Sequence, residues 1–155
     1  MDGFENFALA ISNSVLEKSF SQDIPVSPLK LQKLLYFIYK RVLQRTRTSL
    51  FEEHFEAWQY GPVLPSVYEK FKHYKFDKIS DYYYENGNTF VVSANYEEFH
   101  EALDFVWSKY SDVEPWELVE LTHLPGTAWK VANDQNALYI EEQNILQEDW
   151  SFRIQ

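Results

Sequence analysis

A Gly-Pro step near the middle of the chain constrains the fold most, because it interrupts an aromatic stretch that cannot be helical throughout. The stretch reads Phe-Glu-Ala-Trp-Gln-Tyr-Gly-Pro-Val over residues 55–63. Proline fixes its own φ and disfavours helical backbone in the residue before it, so Gly61 cannot lie inside a helix. Side chains of an extended segment alternate between faces, which would place Trp58 and Tyr60 together. We therefore predict an extended segment or turn, followed by a helix that starts near Pro65.

Helical periodicity dominates the rest of the chain. Apolar residues follow the spacing of amphipathic helices in four stretches, which are residues 4–18, 28–45, 65–74 and 96–110. Pro115 suits the first position of a further helix over residues 115–123, which Pro125-Gly126 ends. Ser27 and Pro28 suit the N-cap and first position of the second helix. Thr127 could cap a short turn, and residues 140–146 have weak helical character. These patterns predict a mainly helical chain.

A minor β element is predicted near residue 86. Asn86-Gly87 lies between β-forming residues, the strongest short-range signal for a hairpin, here over residues 81–93. The chain has 155 residues, of which 45% are hydrophobic, enough for one core. The predicted fold is mainly α: a single compact domain, residues 1–155, of about five to six helices with a small β-hairpin or short β element.

Charge is distributed unevenly along the chain. The net charge of −10 arises within residues 97–155, which carry 13 acidic and 3 basic side chains. Residues 24–51 contain no acidic residue and six basic ones, which are Lys30, Lys33, Lys40, Arg41, Arg45 and Arg47. We interpret most of these six as a solvated helix face. The acidic half disfavours direct nucleic-acid binding and favours a basic protein partner.

Several chemistries are missing from the sequence. There is no cysteine, which excludes a disulfide scaffold and cysteine-ligated metals. There is also no glycine-rich phosphate loop and no pair of histidines at zinc-ligand spacing, so neither cofactor nor metal is expected. The N-terminus lacks the layout of a signal peptide, and no apolar run could span a bilayer. We expect a cytoplasmic protein that is not an enzyme.

Two sets of polar residues are the best candidates for catalysis. Glu52, Glu53, His54 and Glu56 could hold a metal or transfer protons, although a charged turn explains them better. Thr122 and His123 could line a pocket, although they suit the capping of free carbonyls at a helix end before Pro125-Gly126. A hydrolase would use Glu56 with His54 or His123.

Spaced blocks of residues resemble the Panacea domain, also called the SocA-like antitoxin or GepA-like phage-associated family. The blocks are Lys-Leu-Gln-Lys-Leu-Leu-Tyr-Phe at 30–37, Leu50-Phe51, residues 55–63, Pro65, Val67-Tyr68, Phe71, Glu117-Leu118, Leu121-Thr122-His123 and Trp129. The resemblance covers about residues 7–132 and leaves the tail, 133–155, unassigned. The residues that carry it most clearly are Leu31, Lys33, Leu34, Tyr36, Phe55, Glu56, Trp58, Tyr60, Gly61, Pro62, Thr122, His123 and Trp129.

The resemblance implies a small helical domain that binds and neutralises a toxin protein, in a bacterial or phage toxin–antitoxin system. It carries no catalytic centre over to this chain. Two further roles are open: a phage-encoded effector that binds a host or defence protein, and an adaptor that delivers its toxin to a protease. The hydrolase remains the third class of hypothesis.

The resemblance also separates shared from variable segments. A segment shared by proteins with unlike toxins is a poor place to encode one partner. We therefore expect Trp58, Tyr60 and Gly61-Pro62 to fix the fold, wedged between the helices at 28–45 and 65–74. Partner specificity is expected on a variable surface, which comprises Tyr82, Tyr83, Tyr84, Glu97, Glu98 and Glu101.

Overall fold

The computed structural model describes residues 3–151. Its elements in chain order are α1 (Phe7–Gln22), α2 (Pro28–Thr46), β1 (Glu56–Trp58), β2 (Gly61–Val63), α3 (Pro65–Phe71), a 3₁₀ turn (Lys72–Tyr74), α4 (Glu97–Tyr110), α5 (Pro115–Thr122), α6 (Ala128–Asp134) and α7 (Glu142–Gln147). The mainly α prediction is confirmed. The described residues form seven α-helices rather than five to six, because Thr127 caps a full short helix and the weak pattern near residue 140 also folds as one. None of the helices within residues 3–151 has the length and hydropathy of a membrane-spanning segment.

Helix α2 lies at the centre of the molecule. It begins as predicted, with the Ser27 side chain accepting a hydrogen bond from the backbone N–H of Lys30 and Pro28 in the first turn. It packs against α1, α3, α4, α5, α7 and β2. Its apolar stripe is fully buried and consists of Leu31, Leu34, Leu35, Ile38 and Val42. With neighbours on so many sides, the helix also buries positions that the stripe leaves polar.

The prediction of a solvated basic face is therefore wrong for half of the six basic residues. Lys30, Lys33 and Lys40 are buried, whereas Arg45 and Arg47 are exposed. The three buried amines donate to oxygens on Ser111, Pro62 and Glu148, respectively. A buried amine needs such acceptors because removing it from water without them costs several kcal/mol, roughly 2–7 for a polar group.

The two-stranded sheet lies within the Gly-Pro segment. Strands β1 and β2 are antiparallel, with Glu56 opposite Val63 and Trp58 opposite Gly61. The other edge of β1 is covered, since the Ala57 N–H donates to the Leu138 carbonyl at 2.8 Å. The segment is thus extended and followed by a helix from Pro65, as the Gly-Pro step predicts.

The hairpin predicted over residues 81–93 is wrong beyond its turn. Asn86 and Gly87 both have positive φ, +53° and +80°, and Glu85 and Asn88 exchange hydrogen bonds of 2.8 and 3.0 Å across them. The ladder ends there, as an isolated bridge. Helix α1 supplies the reason, because Asn13 takes the backbone groups that strands would need. Its carboxamide oxygen accepts from the Tyr83 N–H at 2.8 Å, and its nitrogen donates to the carbonyls of Tyr83 and Phe90 at 3.1 and 2.9 Å.

Replacing Asn13 with alanine should therefore loosen this segment. Asn13 is fully buried, and its removal leaves the Tyr83 N–H without its partner, so we expect a loss of about 2–3 kcal/mol in unfolding free energy. Amide hydrogen exchange should accelerate over residues 82–92 more than elsewhere. Asn95, which is exposed, provides the control: Asn95→Ala should change neither quantity appreciably. Unchanged exchange in Asn13→Ala would show that other contacts hold the segment.

The tail is an integral part of the fold, although no motif assigns it. We call residues 142–151 the C-terminal clasp. Its Glu148 carboxylate is 4% exposed and accepts three hydrogen bonds, from the Tyr36 hydroxyl at 2.8 Å, the Lys40 amine at 2.8 Å and the Ala128 N–H at 2.7 Å. The clasp thereby joins α2 to the start of α6.

A second set of contacts fastens the same segment to α2. The Gln44 side chain donates to the carbonyls of Ile145 and Glu148 at 3.0 and 2.7 Å. It also accepts from the Trp150 indole at 2.7 Å, and the Lys40 amine lies 4.1 Å from the centre of that indole ring. Lys40 is buried and Gln44 half-buried, and the clasp supplies the partners of both side chains.

Candidate functional site

The separate blocks of the sequence motif meet around Gly61. Its φ of +109° lies in the region that favours glycine. A Cβ at this position would lie 2.7 Å from Lys33 Cε and 2.7 Å from Thr122 Oγ1. Glycine is therefore required twice, for its backbone conformation and for the close approach of α2 and the end of α5.

Lys33 is buried beside Gly61 without an ion-pair partner in the described part of the chain. Its amine donates to the Pro62 carbonyl at 2.9 Å. Burial lowers the pKa of Lys33 from 10.5 to about 7, because the low-dielectric interior disfavours the charged form. The same amine contributes to the lowered pKa of His123, whose main cause is burial.

One ring stack and two hydrogen bonds join the end of α5 to the sheet. The His123 ring stacks on Trp129 with a centroid distance of 3.7 Å and an interplanar angle of 11°. The Trp129 indole donates to the Trp58 carbonyl at 2.8 Å, and the Trp58 indole donates to Glu56 Oε1 at 2.8 Å. These contacts connect four motif residues from three segments of the chain.

The predicted capping role holds for Thr122 only. Its hydroxyl donates to the Val119 carbonyl at 2.7 Å, within the last turn of α5. The His123 side chain instead stacks on Trp129, and its Nε2 is buried without a hydrogen-bond partner among residues 3–151. The His123 imidazole thus packs against the Trp129 ring and not against the carbonyls at the end of α5.

The Gly-Pro segment divides into a buried and an exposed part. Gly61 and Pro62 are buried, and their role in fixing the fold stays a prediction. Tyr60 is 46% exposed and Trp58 is only half-buried, so the expected buried wedge is wrong for Tyr60 and partly wrong for Trp58. The reason is local: Gln59 and Tyr60 form the two-residue tip between β1 and β2, which points away from the core. The remaining apolar motif residues are core side chains and comprise Leu31, Leu34, Tyr36 and Phe55.

Next to this segment lies a groove of about 440 Å³, which we call the aromatic groove. Its apolar lining includes Leu29, Trp58, Tyr60, Tyr68 and Phe76. The rings of Trp58 and Tyr68 meet edge to face at 5.0 Å. Phe76, which sequence reasoning did not single out, is 78% exposed. An exposed phenylalanine in a lysine-rich stretch is a signal that a search for surface anchors could use.

The groove is bordered by an additional aromatic residue and by lysines. Tyr60 contacts Trp116 edge to face at 5.0 Å, and Trp116 is itself 48% exposed. Lys72 and Lys75 line the groove, whereas no carboxylate does so among the described residues. Such a surface of rigid aromatic rings with a polar rim has the composition of a protein-binding site.

The residues predicted to set partner specificity have varied surroundings. Tyr82 contacts Phe20 and Tyr83 contacts Phe4, both edge to face at 5.0 and 5.1 Å, whereas Tyr84 is 49% exposed. Tyr82 and Tyr83 of the predicted surface are thus half-buried against other parts of the protein.

The acidic members of that predicted surface also differ among themselves. Glu101 pairs with Arg41 at 2.7 Å, and the hydrogen bond from Arg41 lowers the pKa of Glu101. Glu97 and Glu98 are exposed in the first turn of α4, where a carboxylate favours the helix dipole. Only part of the predicted surface is therefore available to a partner.

The candidate catalytic residues do not form an acid–base pair. Within residues 3–151 no hydrogen bond joins Glu56 to a histidine: Glu56 accepts from Trp58, and His54 contacts the Tyr139 ring at 6.2 Å. Glu53 accepts from the Ser66 hydroxyl at 2.5 Å and so fastens the start of α3. No cluster of three histidine, aspartate or glutamate side chains that could hold a metal occurs in this part of the chain. The acidic turn thus has a structural role.

The buried Lys33 should make stability depend on pH. Between pH 7 and 10.5 the unfolded chain holds a proton on this amine that the folded chain releases, so the free energy of unfolding rises with pH. Below pH 7 both states are protonated and the cost of the buried charge is present in full. Between pH 7 and 9 we expect a gain of about 2 kcal/mol from Lys33, which chemical denaturation at each pH can measure.

The matched variants Lys33→Met and Lys70→Met isolate this contribution. The first should remove about 2 kcal/mol of the rise, and the second, at an exposed lysine, should retain it. Lys30 and Lys40, whose pKa values burial also lowers, contribute equally to both variants. A rise that is identical in Lys33→Met and the parent chain would place a charged Lys33 in the folded state.

The comparisons with known proteins match the part of the chain that contains the residues meeting around Gly61. The family model described as "Antitoxin SocA-like, Panacea domain" matches residues 31–130. The chain is also 34% identical over 129 residues to antitoxin SocA of Caulobacter vibrioides (strain NA1000 / CB15N), which covers 80% of this chain and 69% of that protein. No solved structure matches significantly. The matched region spans the blocks that converge on Gly61, and the chain therefore belongs to the SocA-like antitoxin family of Panacea domains.

Proposed function

We propose that this protein is an antitoxin that binds a toxin protein directly and neutralises it without catalysis. The observation that carries the proposal is the 34% identity to antitoxin SocA across four-fifths of the chain. The aromatic groove supports it, because exposed aromatic side chains are the usual anchors of protein interfaces. The proposal places the protein in the cytoplasm, where a bacterial toxin protein is synthesised.

Neutralisation would take place by sequestration. The candidate acid–base residues have structural partners, with Glu56 bonded to Trp58 and His123 stacked on Trp129. A binding mechanism uses surface complementarity alone, which fits a site made of rings and lysines. The toxin would then lose activity in proportion to the amount of antitoxin added.

Co-expression with the product of each gene that adjoins this one tests the proposal, and the toxin is the product that inhibits growth when expressed alone. We expect growth to be restored and the two chains to co-elute in size-exclusion chromatography. With purified proteins, the residual toxin activity should fall linearly and reach zero at a fixed molar ratio. A toxin from an unrelated pair serves as the control and should remain active.

Two outcomes would contradict the proposal. Persistent growth inhibition in the presence of the folded chain would exclude neutralisation of that toxin. Inactivation of many toxin molecules by one molecule of this chain would indicate catalysis instead of sequestration.

A further inference from the structure

The sign of the charge around the aromatic groove is opposite to that of the whole protein. The net charge is −10, yet the groove is lined by Lys72 and Lys75 and by no carboxylate within the described residues. Lys72 is paired with Glu69 at 2.6 Å, whereas Lys75 has no such partner in this part of the chain. A local positive rim on an acidic protein indicates complementarity to an acidic group. The basic partner expected from the net charge therefore does not fit this surface.

The backbone at the edge of the groove is strained in a way that displays an aromatic ring. Lys75 has φ +57° and ψ −117°, a conformation that a residue with a side chain rarely adopts. Its N–H donates to the Lys72 carbonyl at 3.0 Å, which closes the 3₁₀ turn. The next residue is Phe76, the most exposed of the large hydrophobic side chains in residues 3–151. Strained backbone that persists beside an exposed ring is a feature of binding sites.

We propose that the aromatic groove is the toxin-docking site and that it binds an acidic segment of the toxin carrying a large apolar side chain. This inference rests on the proposed function and names the surface and the chemistry of the partner. The apolar side chain would lie between Trp58, Tyr60 and Phe76, which enclose a volume suited to one or two large side chains. A carboxylate beside it would pair with Lys75, because Lys72 is already paired with Glu69.

The groove also combines two kinds of sequence. Trp58 and Tyr60 belong to the family motif, whereas Lys75 and Phe76 begin the stretch, residues 75–93, that lies outside the motif blocks. If related proteins share this floor and differ at the rim, they can hold different segments, which would reconcile a shared motif with a specific partner.

Tyr60 and Tyr84 provide a matched pair for the test, because they are 46% and 49% exposed and Tyr84 belongs to the surface predicted from sequence. The affinity for the co-expressed toxin is measured by titration calorimetry. Tyr60→Ser and Phe76→Ser should each weaken Kd about 10- to 100-fold, as for an interface anchor. Tyr84→Ser should change it less than about twofold. Circular dichroism and thermal unfolding establish that each variant is folded.

Charge and location are tested separately. Lys75→Glu should weaken binding about 10-fold or more and reduce its salt dependence, whereas Lys109→Glu, the same change of charge outside the groove lining, should not. A photo-crosslinking amino acid at position 76 should capture a toxin peptide that contains aspartate or glutamate beside a large apolar residue. The same amino acid at position 84 should capture none.

The outcomes separate the inference from the proposed function. A parent chain that neither binds nor neutralises the toxin overturns both. A parent complex that Tyr60→Ser and Phe76→Ser leave intact overturns only the groove, and a loss with Tyr84→Ser instead assigns the interface to the surface predicted from sequence. A basic crosslinked peptide, or a dimer of this chain that the groove variants disrupt, also overturns the inference.

Discussion

Replacing Glu148 with glutamine is expected to lower the free energy of unfolding by about 3–5 kcal/mol. The carboxylate is buried against the Lys40 amine at 2.8 Å, and its loss leaves a buried cation without its counter-charge. The Tyr36 hydroxyl and the Ala128 N–H lose the same charged acceptor. Denaturant unfolding followed by tryptophan fluorescence would measure the change.

Glu142 supplies a closely matched control. It also lies in the C-terminal clasp and also accepts a tyrosine hydroxyl, from Tyr39 at 2.6 Å, but it is exposed. Glu142→Gln should cost no more than about 1 kcal/mol. The double variant Lys40→Met with Glu148→Leu removes both charges and should recover part of the loss. Equal effects of Glu142→Gln and Glu148→Gln would refute the role of the buried ion pair.

Replacing Gly61 with alanine is expected to cost about 2–5 kcal/mol, as the sum of left-handed backbone strain and overpacking. The added Cβ would meet Lys33 Cε and Thr122 Oγ1, both at 2.7 Å. Neither atom can yield freely, because the Lys33 amine is held by the Pro62 carbonyl and the Thr122 hydroxyl by Val119. Thermal and denaturant unfolding would both report the loss.

Gly87 separates the two contributions to that cost. Its φ of +80° imposes comparable backbone strain, but nothing lies within 4 Å of a Cβ added there. Gly87→Ala should therefore cost only about 1–2 kcal/mol. Gly61→Ala could lower the free energy of unfolding by no more than Gly87→Ala does. The close approach of α2 and α5 would then not be the reason that position 61 requires glycine.

Local patterns predicted the helices well, because the caps and apolar spacing that indicate a helix involve residues only a few positions apart. Ser27-Pro28 and Thr127 mark helix starts through hydrogen bonds that act over three positions, and both caps are present. The burial of Lys40 is different in kind, since its partner Glu148 is 108 positions away. Periodicity cannot report such a contact. The hairpin at residues 81–93 failed for a related reason, because Asn13, about 70 positions earlier, outcompetes strand pairing.

The candidate site was only partly predictable. The motif blocks identified the residues that meet around Gly61, and the requirement for glycine there follows from contacts with Lys33 and Thr122. The exposure of Tyr60 depends on where the two-residue tip falls in the register of β1 and β2. The display of Phe76 depends on the backbone of Lys75. Packing determines both the register of β1 and β2 and the strained backbone at Lys75. No local sequence pattern predicts either of them.

The position of Glu148 in the sequence sets the order of events while the chain is being synthesised. Helix α2 leaves the ribosome first, and the partner of Lys40 is added 108 residues later. At about 5–20 residues per second the delay is roughly 5–20 s. During that interval the nascent chain holds a lysine that must be buried but has no counter-charge, so α2 cannot settle into its final packing. The aromatic groove, which α2 lines in part, is therefore completed only late in translation.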